Sequence, residues 1–517
     1  MQILVPITTG EDVSPAPVEL HRSRSAIRFV PDLAFSVALV AIVYLLLSGG
    51  PSALFRDADA GWHIRAGERI LAIHALPLTD PYSFSKAGQP WIAWEWIADI
   101  AAGAAHRAAG LSGVALLYVL AIGMSVWMWV RLTWAAGGNF LLACLFAAPM
   151  LSTANMHWLA RPHVFGWLFL LATVWFCEKP VRQRYGFITV ALGAAFWANL
   201  HGSFILAPAI FLIYAAGATF RPVIWGGEPR ASWRSYAGYA AASIAGSLVN
   251  PHGWNLHRHI VAYLTDTALL DRIGEFQSFN FHAEGATQII LALLIGAAGG
   301  FAALSARRPE RFLLSLLITA AALRTARLLP VAALILLPLA NGSISDVLTH
   351  AQLAPRLRKS LDTVLNYGSS LRVLDKTLGG LALTPLIALA LFGVTRGTHP
   401  GFPPDEFPVA ASASVAALPA EAKLFSSDKF GGYLIYRFAG QRKVYFDGRS
   451  DFYGADFLKS YSRLVQARPG WQSEFARGGF THVLLPPDYA LVAALETAGW
   501  KETYRDRTAV LLKGPQS

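Results

Sequence analysis

A polytopic α-helical membrane protein with a small α/β domain at its C-terminal end is the fold class that the sequence predicts, and three observations predict it. Apolar runs of roughly 15 to 20 residues, close to the length that crosses about 30 Å of hydrocarbon, recur between residues 31 and 396. The loops between these runs fall into two chemically different sets. After Arg396 the long runs stop, and short alternating stretches separated by turns take over. With 54% hydrophobic and only 15% charged residues and a mean hydropathy of +0.43, the 517-residue chain lacks the composition of a soluble enzyme.

Residues 1–30 form a polar tail in which His21, Arg22, Arg24 and Arg28 precede the first apolar run, 31–48. Positive-inside bias puts this tail in the cytoplasm. The first run begins too late and lacks the small-residue cleavage pattern of a signal peptide. The following loop, 49–97, therefore faces outward. Further runs at 98–131, 139–152, 163–177, 185–199, 203–220, 236–249, 286–304, 310–323, 328–341 and 379–395 bring the expected number of transmembrane helices to about eleven.

The loop chemistry supports this alternation. Lys179, Arg182 and Arg184, then Arg221, Arg230 and Arg234, then Arg307, Arg308 and Arg311, then Arg356, Arg358 and Lys359 all fall on the cytoplasmic side. The opposite loops collect hydrogen-bonding groups instead: Asn155, His157, Arg161 and His163; Asn199, His201 and Ser203; Asn250 and His252; the Glu275-Phe276-Gln277-Ser278 segment; and Arg324 with Arg327. One membrane face is basic and repetitive, and the other gathers carboxylates, imidazoles and amides.

Domain boundaries follow from these shifts: the tail 1–30, a transmembrane domain 31–396 with its outer loop 49–97, a Pro/Gly-rich linker 397–407, and an outer α/β domain 408–517. In that last domain strands are expected at 422–426, 444–447, 483–485 and 509–512, and helices at 456–466 and 490–498. The net charge of +11 is spread over short loops rather than gathered on one face with aromatic residues, which argues against nucleic acid. Cys144 and Cys177 lie inside apolar runs and read as packing residues. No phosphate-binding glycine loop, dinucleotide fingerprint, His-Glu-x-x-His or nucleophile elbow is present.

Within the outer loop, residues 55–67 are the densest chemical neighbourhood, with Asp57, Asp59, Trp62 and His63 in seven positions. The two carboxylates are close enough to couple as base and partner, or with His63 to contact a divalent cation such as Mg²⁺ or Mn²⁺. A simpler role for Asp57 is to cap a helix. Glu95, bracketed by Trp94 and Trp96, reads either as a buried acid or as the polar end of an aromatic belt. Arg161, beside His163 across Pro162, offers a planar fork to phosphate oxygens or snorkels to lipid headgroups. His201 and His252 follow asparagines at helix ends, where structural histidines are common, and Glu275 lies in a long outer loop. Arg324 and Arg327 are cations on the side where cations are scarce, which suggests an anionic partner such as a lipid phosphate. Asp447, Arg449 and Asp451 could bind a ligand, although charged turns of this kind usually form internal salt bridges.

The Asp-x-Asp-x-x-Trp-His stretch at 57–63, the many apolar runs and the C-terminal α/β region resemble the GT-C superfamily of membrane glycosyltransferases, which use polyprenyl-phosphate-linked sugars. Protein O-mannosyltransferases, the oligosaccharyltransferase catalytic subunit and the lipid A aminoarabinose transferase belong to it. Trp-Glu-Trp at 94–96, Asn-x-His-Gly at 199–202, Asn-Pro-x-Gly at 250–253 and Gly-Gly-Tyr-Leu at 431–434 resemble stretches of an uncharacterised bacterial branch. The likeness covers residues 31–514.

It implies a bacterial inner-membrane enzyme that moves a hexose or pentose from a polyprenyl-phosphate carrier to an extracytoplasmic glycan, lipid or protein. It also implies that Asp57 or Asp59 acts as catalytic base or metal contact, and that arginines near the membrane surface hold the lipid phosphate. Trp62, His63, Glu95, Arg161, His163, His201, His252, Glu275, Arg324 and Arg327 are then the substrate-binding candidates. The adjacent Asp-Glu or Glu-Asp pair of several better-known members is absent. Two other readings compete: a transporter or flippase of a polar or lipid-linked substrate, which would put ionisable groups near mid-membrane, and a non-catalytic scaffold for envelope assembly.

Overall fold

The computed structural model describes residues 30–179, 185–226 and 231–515. The tail expected at 1–30 lies outside them except for Val30, as do Arg182, Arg184 and Arg230. Helices α1 (Leu33–Ser48), α2 (Asp59–Ile73), α3 (Trp96–Ala135), α4 (Phe140–Asn155) and α5 (His163–Glu178) open the chain. They are followed by α6 (Gly186–Ala198), α7 (Leu206–Trp225), α8 (Trp233–Ser247), α9 (Trp254–Thr265) and the single turn α10 (Thr267–Leu270). Then come α11 (Ala286–Ser305), α12 (Pro309–Arg324), α13 (Leu329–His350), α14 (Pro355–Thr377) and α15 (Thr384–Gly397).

Every apolar run read from the sequence lies on one of these helices. Four helical stretches are long and apolar enough to cross a membrane: Trp96–Ala135, Gly202–Trp225, Ala286–Ser305 and Ala326–His350. Five shorter apolar helices accompany them. The protein is membrane-embedded. α3 is broken at Ala109 and Gly110, where Gly110 takes φ 60°, so its first three turns and its long membrane-crossing portion are separate segments. Helices α2, α9 and α14 were hidden from the sequence reading because they are amphipathic rather than uniformly apolar.

Short polar caps fix where helices begin. Asp32 accepts the Phe35 amide at 2.7 Å, and Asn139 accepts the Leu141 amide at 2.9 Å. At the end of the bundle where α5 finishes and α12 starts, the buried Glu178 carboxylate joins Arg308, Arg311 and Tyr214 at 2.7–3.2 Å, tying three helices together. At the other end α2 lies against the start of α3. A Cβ on Gly67 would sit 1.7 Å from the Asp99 carbonyl, so only glycine permits this approach.

Beyond α15 come α16 (Ser412–Ala416), β1 (Leu424–Ser426), α17 (Asp428–Arg437), α18 (Ser450–Tyr453), α19 (Ala455–Val465), α20 (Trp471–Gly478), β2 (His482–Leu485), α21 (Ala490–Thr497), β3 (Lys501–Arg505) and β4 (Val510–Lys513). The sheet order is β1-β2-β4-β3, parallel only between β1 and β2. The expected strand at 444–447 is absent from this sheet. Val444 instead exchanges backbone hydrogen bonds with the outer loop: its amide donates to Tyr82 and its carbonyl accepts from Phe84, both at 3.0 Å. Strand β3 went unread because its five residues are polar and mostly exposed.

The same outer loop docks the sheet region onto the helices. Arg449 meets Asp80 at 2.9 Å and pairs with Asp447 through two bonds of 2.7 Å. Its guanidinium lies over the Trp91 ring at 4.8 Å. Helix α17 rests on α2 where Gly61 faces the Gly432 carbonyl and Arg65 Nε donates to the Tyr436 carbonyl at 2.8 Å.

Candidate active site

Asp57, Asp59, Arg161 and Glu275 come from three separate segments and meet at one point. Asp57 Oδ1 accepts the Asp59 amide at 2.8 Å, one residue ahead of Ala58, which holds the cap position of α2, while its Oδ2 takes Arg161 Nη1 at 2.9 Å. Arg161 Nη2 reaches Asp59 Oδ2 at 2.8 Å, and Nη1 also reaches Glu275 Oε1 at 2.7 Å. Asp59 Oδ1 accepts Trp62 Nε1 at 3.1 Å. Glu275 faces a second cation, Arg327, at 3.6 Å.

One buried guanidinium thus serves three acids, and their protonation separates accordingly. Burial pushes the Asp59 carboxyl up to about 7 against the pull of Arg161, with Asp57 adding to the rise. Burial alone would raise Glu275 as well, but Arg161 and Arg327 hold it well below the usual carboxylate range.

Behind this cluster, α2, the start of α3 and the turn before α7 bring together two acids and two imidazoles. His63 Nδ1 lies 2.6 Å from Asp99 Oδ1, and His63 Nε2 faces Glu95 at 3.8 Å. His201 Nε2 approaches the other Glu95 oxygen at 3.7 Å. The Ser203 amide donates to His201 Nδ1 at 3.1 Å, which makes Nδ1 an acceptor and leaves the proton of a neutral ring on Nε2, toward Glu95. Burial drives both imidazoles well below their usual range, and pushes Glu95 up to about 8. Burial thus favours the neutral form of all three groups.

Two cavities open from the cluster. The first, narrow and of about 60 Å³, is lined by Asp59, Trp62, His63, Trp91, Trp94, Glu95, Asp99, His163 and His201, with Gly448, Arg449, Ser450 and Asp451 closing it from the sheet region. The second, of about 350 Å³, is lined by Arg56, Asp57, Arg272, Glu275, Asp428, Lys429 and Tyr461 among others. Asp59, Arg161, Tyr263, Arg327, Gly448 and Ser450 border both. The Asp59–Arg161 pair is the partition between them.

Two sequence candidates lie away from these walls. Arg324 is exposed at the end of α12, its carbonyl accepting from Ser278. His252, whose amide donates to Asn250 Oδ1 at 2.8 Å, lines neither cavity.

The Asp57, Asp59 and His63 set does not fit a divalent cation. The Arg161 guanidinium sits between the carboxylates, and His63 is turned to Asp99 and Glu95. Among the described residues no three His, Cys, Asp or Glu side chains gather to hold a metal.

Asp99, Tyr263 and His259 were missed. Asp99 sits in an apolar run, where an acid is itself a functional signal. Tyr263 and His259 fall on amphipathic α9. His259 Nε2 meets Asp451 at 2.9 Å, and Trp94 Nε1 donates to that carboxylate at 3.3 Å. Asp447 and Arg449 form the internal pair anticipated for such a turn, whereas Asp451 faces the cavity.

Comparison with known proteins begins from this geometry. No family model and no curated protein matches the chain. Among solved structures, the apo oligosaccharyltransferase of Archaeoglobus fulgidus superposes with a TM-score of 0.51 at 12% identity, over 87% of this chain and 69% of that one. The chain has the GT-C fold. ArnT from Cupriavidus metallidurans, bound to undecaprenyl phosphate, is similar at a TM-score of 0.45 and 15% identity, over 93% of this chain and 97% of that one. The match to the oligosaccharyltransferase bears out the GT-C likeness at the level of fold.

Proposed function

We propose that this protein is a membrane glycosyltransferase that moves a hexose or pentose from a polyprenyl-phosphate carrier to an acceptor on the outer face of a bacterial inner membrane. The observation that carries the reading is the pair of cavities meeting at Asp59 and Arg161. A transferase needs two substrates held on either side of one reacting centre, and the larger cavity, at about 350 Å³, lies within the usual range for ligand sites.

In this reading Asp59 is the base. A carboxyl near 7 exchanges protons readily at neutral pH, so it can take the proton of the acceptor hydroxyl as the new bond to the sugar C1 forms. The bond from C1 to the phosphate oxygen breaks, and the phosphate leaves with its electron pair toward Arg327 and Arg161. Asp57 positions Arg161 and the first turn of α2. The indoles of Trp62, Trp91 and Trp94, with Glu95, His63, His163 and His201, offer a sugar apolar faces and uncharged hydrogen-bonding groups. The N-terminus is cytoplasmic, and residues 408–517 form an outer domain whose Gly448–Asp451 turn covers the sugar.

The test is thermal denaturation of the full chain with polyprenyl phosphate and with polyprenol. Polyprenyl phosphate stabilises the wild type, polyprenol does not, and Arg327→Ala loses most of the effect. Equal stabilisation by both lipids, or none by either, contradicts the reading.

A further inference from the structure

Helix α14 lies at the end of the bundle opposite the candidate site. It starts beyond the C-terminal end of α13, and Gly368 packs on Asn139 at the start of α4. Its last turn reaches the start of α1, where Asp375 accepts the Leu33 amide at 2.8 Å and meets Arg131 at 3.1 Å. A helix of 23 residues, about 34 Å long, that touches three bundle ends in succession must run across them. It therefore lies parallel to the membrane plane.

Only Gly368 and Asp375 of this helix are buried. Leu357, Val364, Tyr367 and Leu374 recur at helical spacing and are 57%, 46%, 58% and 49% exposed. They form a stripe whose near edge, Leu357 and Val364, borders the line of Gly368 and Asp375 that rests on the bundle and whose far edge, Tyr367 and Leu374, lies roughly a quarter-turn from it, while Asp362, Asn366 and Ser369 point the other way. Val373 falls outside the stripe. Arg356 and Lys359 lie on one flank of it, and Lys376 on the other. All three are exposed, with no carboxylate partner among the described residues. Arg358, by contrast, pairs with Asp362.

We propose that α14 is an interfacial helix that docks on the anionic phospholipid headgroups of the leaflet at that end, its apolar stripe entering the acyl boundary. Charge complementarity commits it to this partner. A water-facing contact would leave a large apolar stripe exposed, whereas unpaired cations on both flanks of such a stripe match an anionic headgroup layer. The inference is independent of the reaction assigned to the opposite end.

The test uses the full chain with Cys144→Ala, a fluorophore on Val364→Cys or on Asn366→Cys, and vesicles containing brominated phosphatidylglycerol or brominated phosphatidylcholine at equal fraction. Both positions are outside the bundle contact, so either label leaves the fold intact. The Val364 probe is quenched by both lipids, more by phosphatidylglycerol, and the Asn366 probe by neither. The preference falls with salt, and by roughly fivefold for each cation removed in Arg356→Gln, Lys359→Gln and Lys376→Gln. No quenching at Val364, or equal quenching by the two lipids at low salt, overturns the proposal. A second protein copy covering the stripe instead would give the first result together with a doubled particle mass.

Discussion

Arg161 Nη2 lies 2.8 Å from Asp59 Oδ2, while its other terminal nitrogen holds Asp57 and Glu275. A single planar guanidinium organises three acids drawn from α2, its preceding turn and the segment before α11. Lysine carries the charge but not the fork. Arg161→Lys is therefore expected to keep the chain folded and to lose most activity. Arg161→Ala leaves the acids unneutralised, and breaking a buried pair of this kind costs about 3–5 kcal/mol. Denaturation midpoints of the two variants, measured side by side, check this order.

Gly448 touches the same carboxylate from the sheet region: a Cβ there would sit 1.8 Å from Asp59 Oδ1. Gly448→Ala is expected to abolish activity and to loosen the sheet region, with helix content unchanged. Limited proteolysis between residues 398 and 411, with circular dichroism as the control, reads both.

Glu95 carries its proton at neutral pH, with a carboxyl pushed up to about 8. Glutamine has nearly the same shape and no charge. Glu95→Gln is expected to retain activity within a few fold at pH 7, and Glu95→Ala to lose much more. Equal losses in the two variants would show that the charged form is the one used.

The raised Asp59 carboxyl gives activity and stability opposite pH dependences. A base works when deprotonated, so transfer rises with pH through a midpoint near 7. In the folded chain this group holds its proton up to about 7, but in the unfolded chain it loses it near 3.8. The folded state thus binds the extra proton between those values, and stability falls as pH rises across that window. Glu95 extends the same slope to about 8. Asp59→Asn removes the Asp59 share of the slope and leaves the Glu95 share, as melting temperatures between pH 4 and 9 will show.

The apolar runs and the collection of polar groups at one end of the bundle were legible because membrane-crossing helices write themselves as long uniform segments. The density of residues 57–63 likewise singles out Asp57 and Asp59 without choosing between them. What stayed hidden depended on contacts between distant segments. Nothing near Arg161 in sequence says that Glu275 completes its shell, and Asp99 reads as part of an apolar run until Gly67 lets α2 approach it. Nor does the sequence around Asp57, Asp59 and His63 announce that the group between the two carboxylates is an arginine from the turn before α5. Val444 alternates like a strand residue, but its partner is the outer loop rather than the sheet.

Release of polyprenyl phosphate from labelled sugar donors reads out transfer at Asp59 itself, using the full chain in vesicles that carry envelope extract as acceptor. Wild type is expected to release it, Asp59→Asn to lose about 10²–10⁴-fold in rate, and Asp57→Asn, which keeps the acceptor for the Asp59 amide, to lose roughly tenfold. Undiminished release by Asp59→Asn would contradict the assignment of Asp59 as the base.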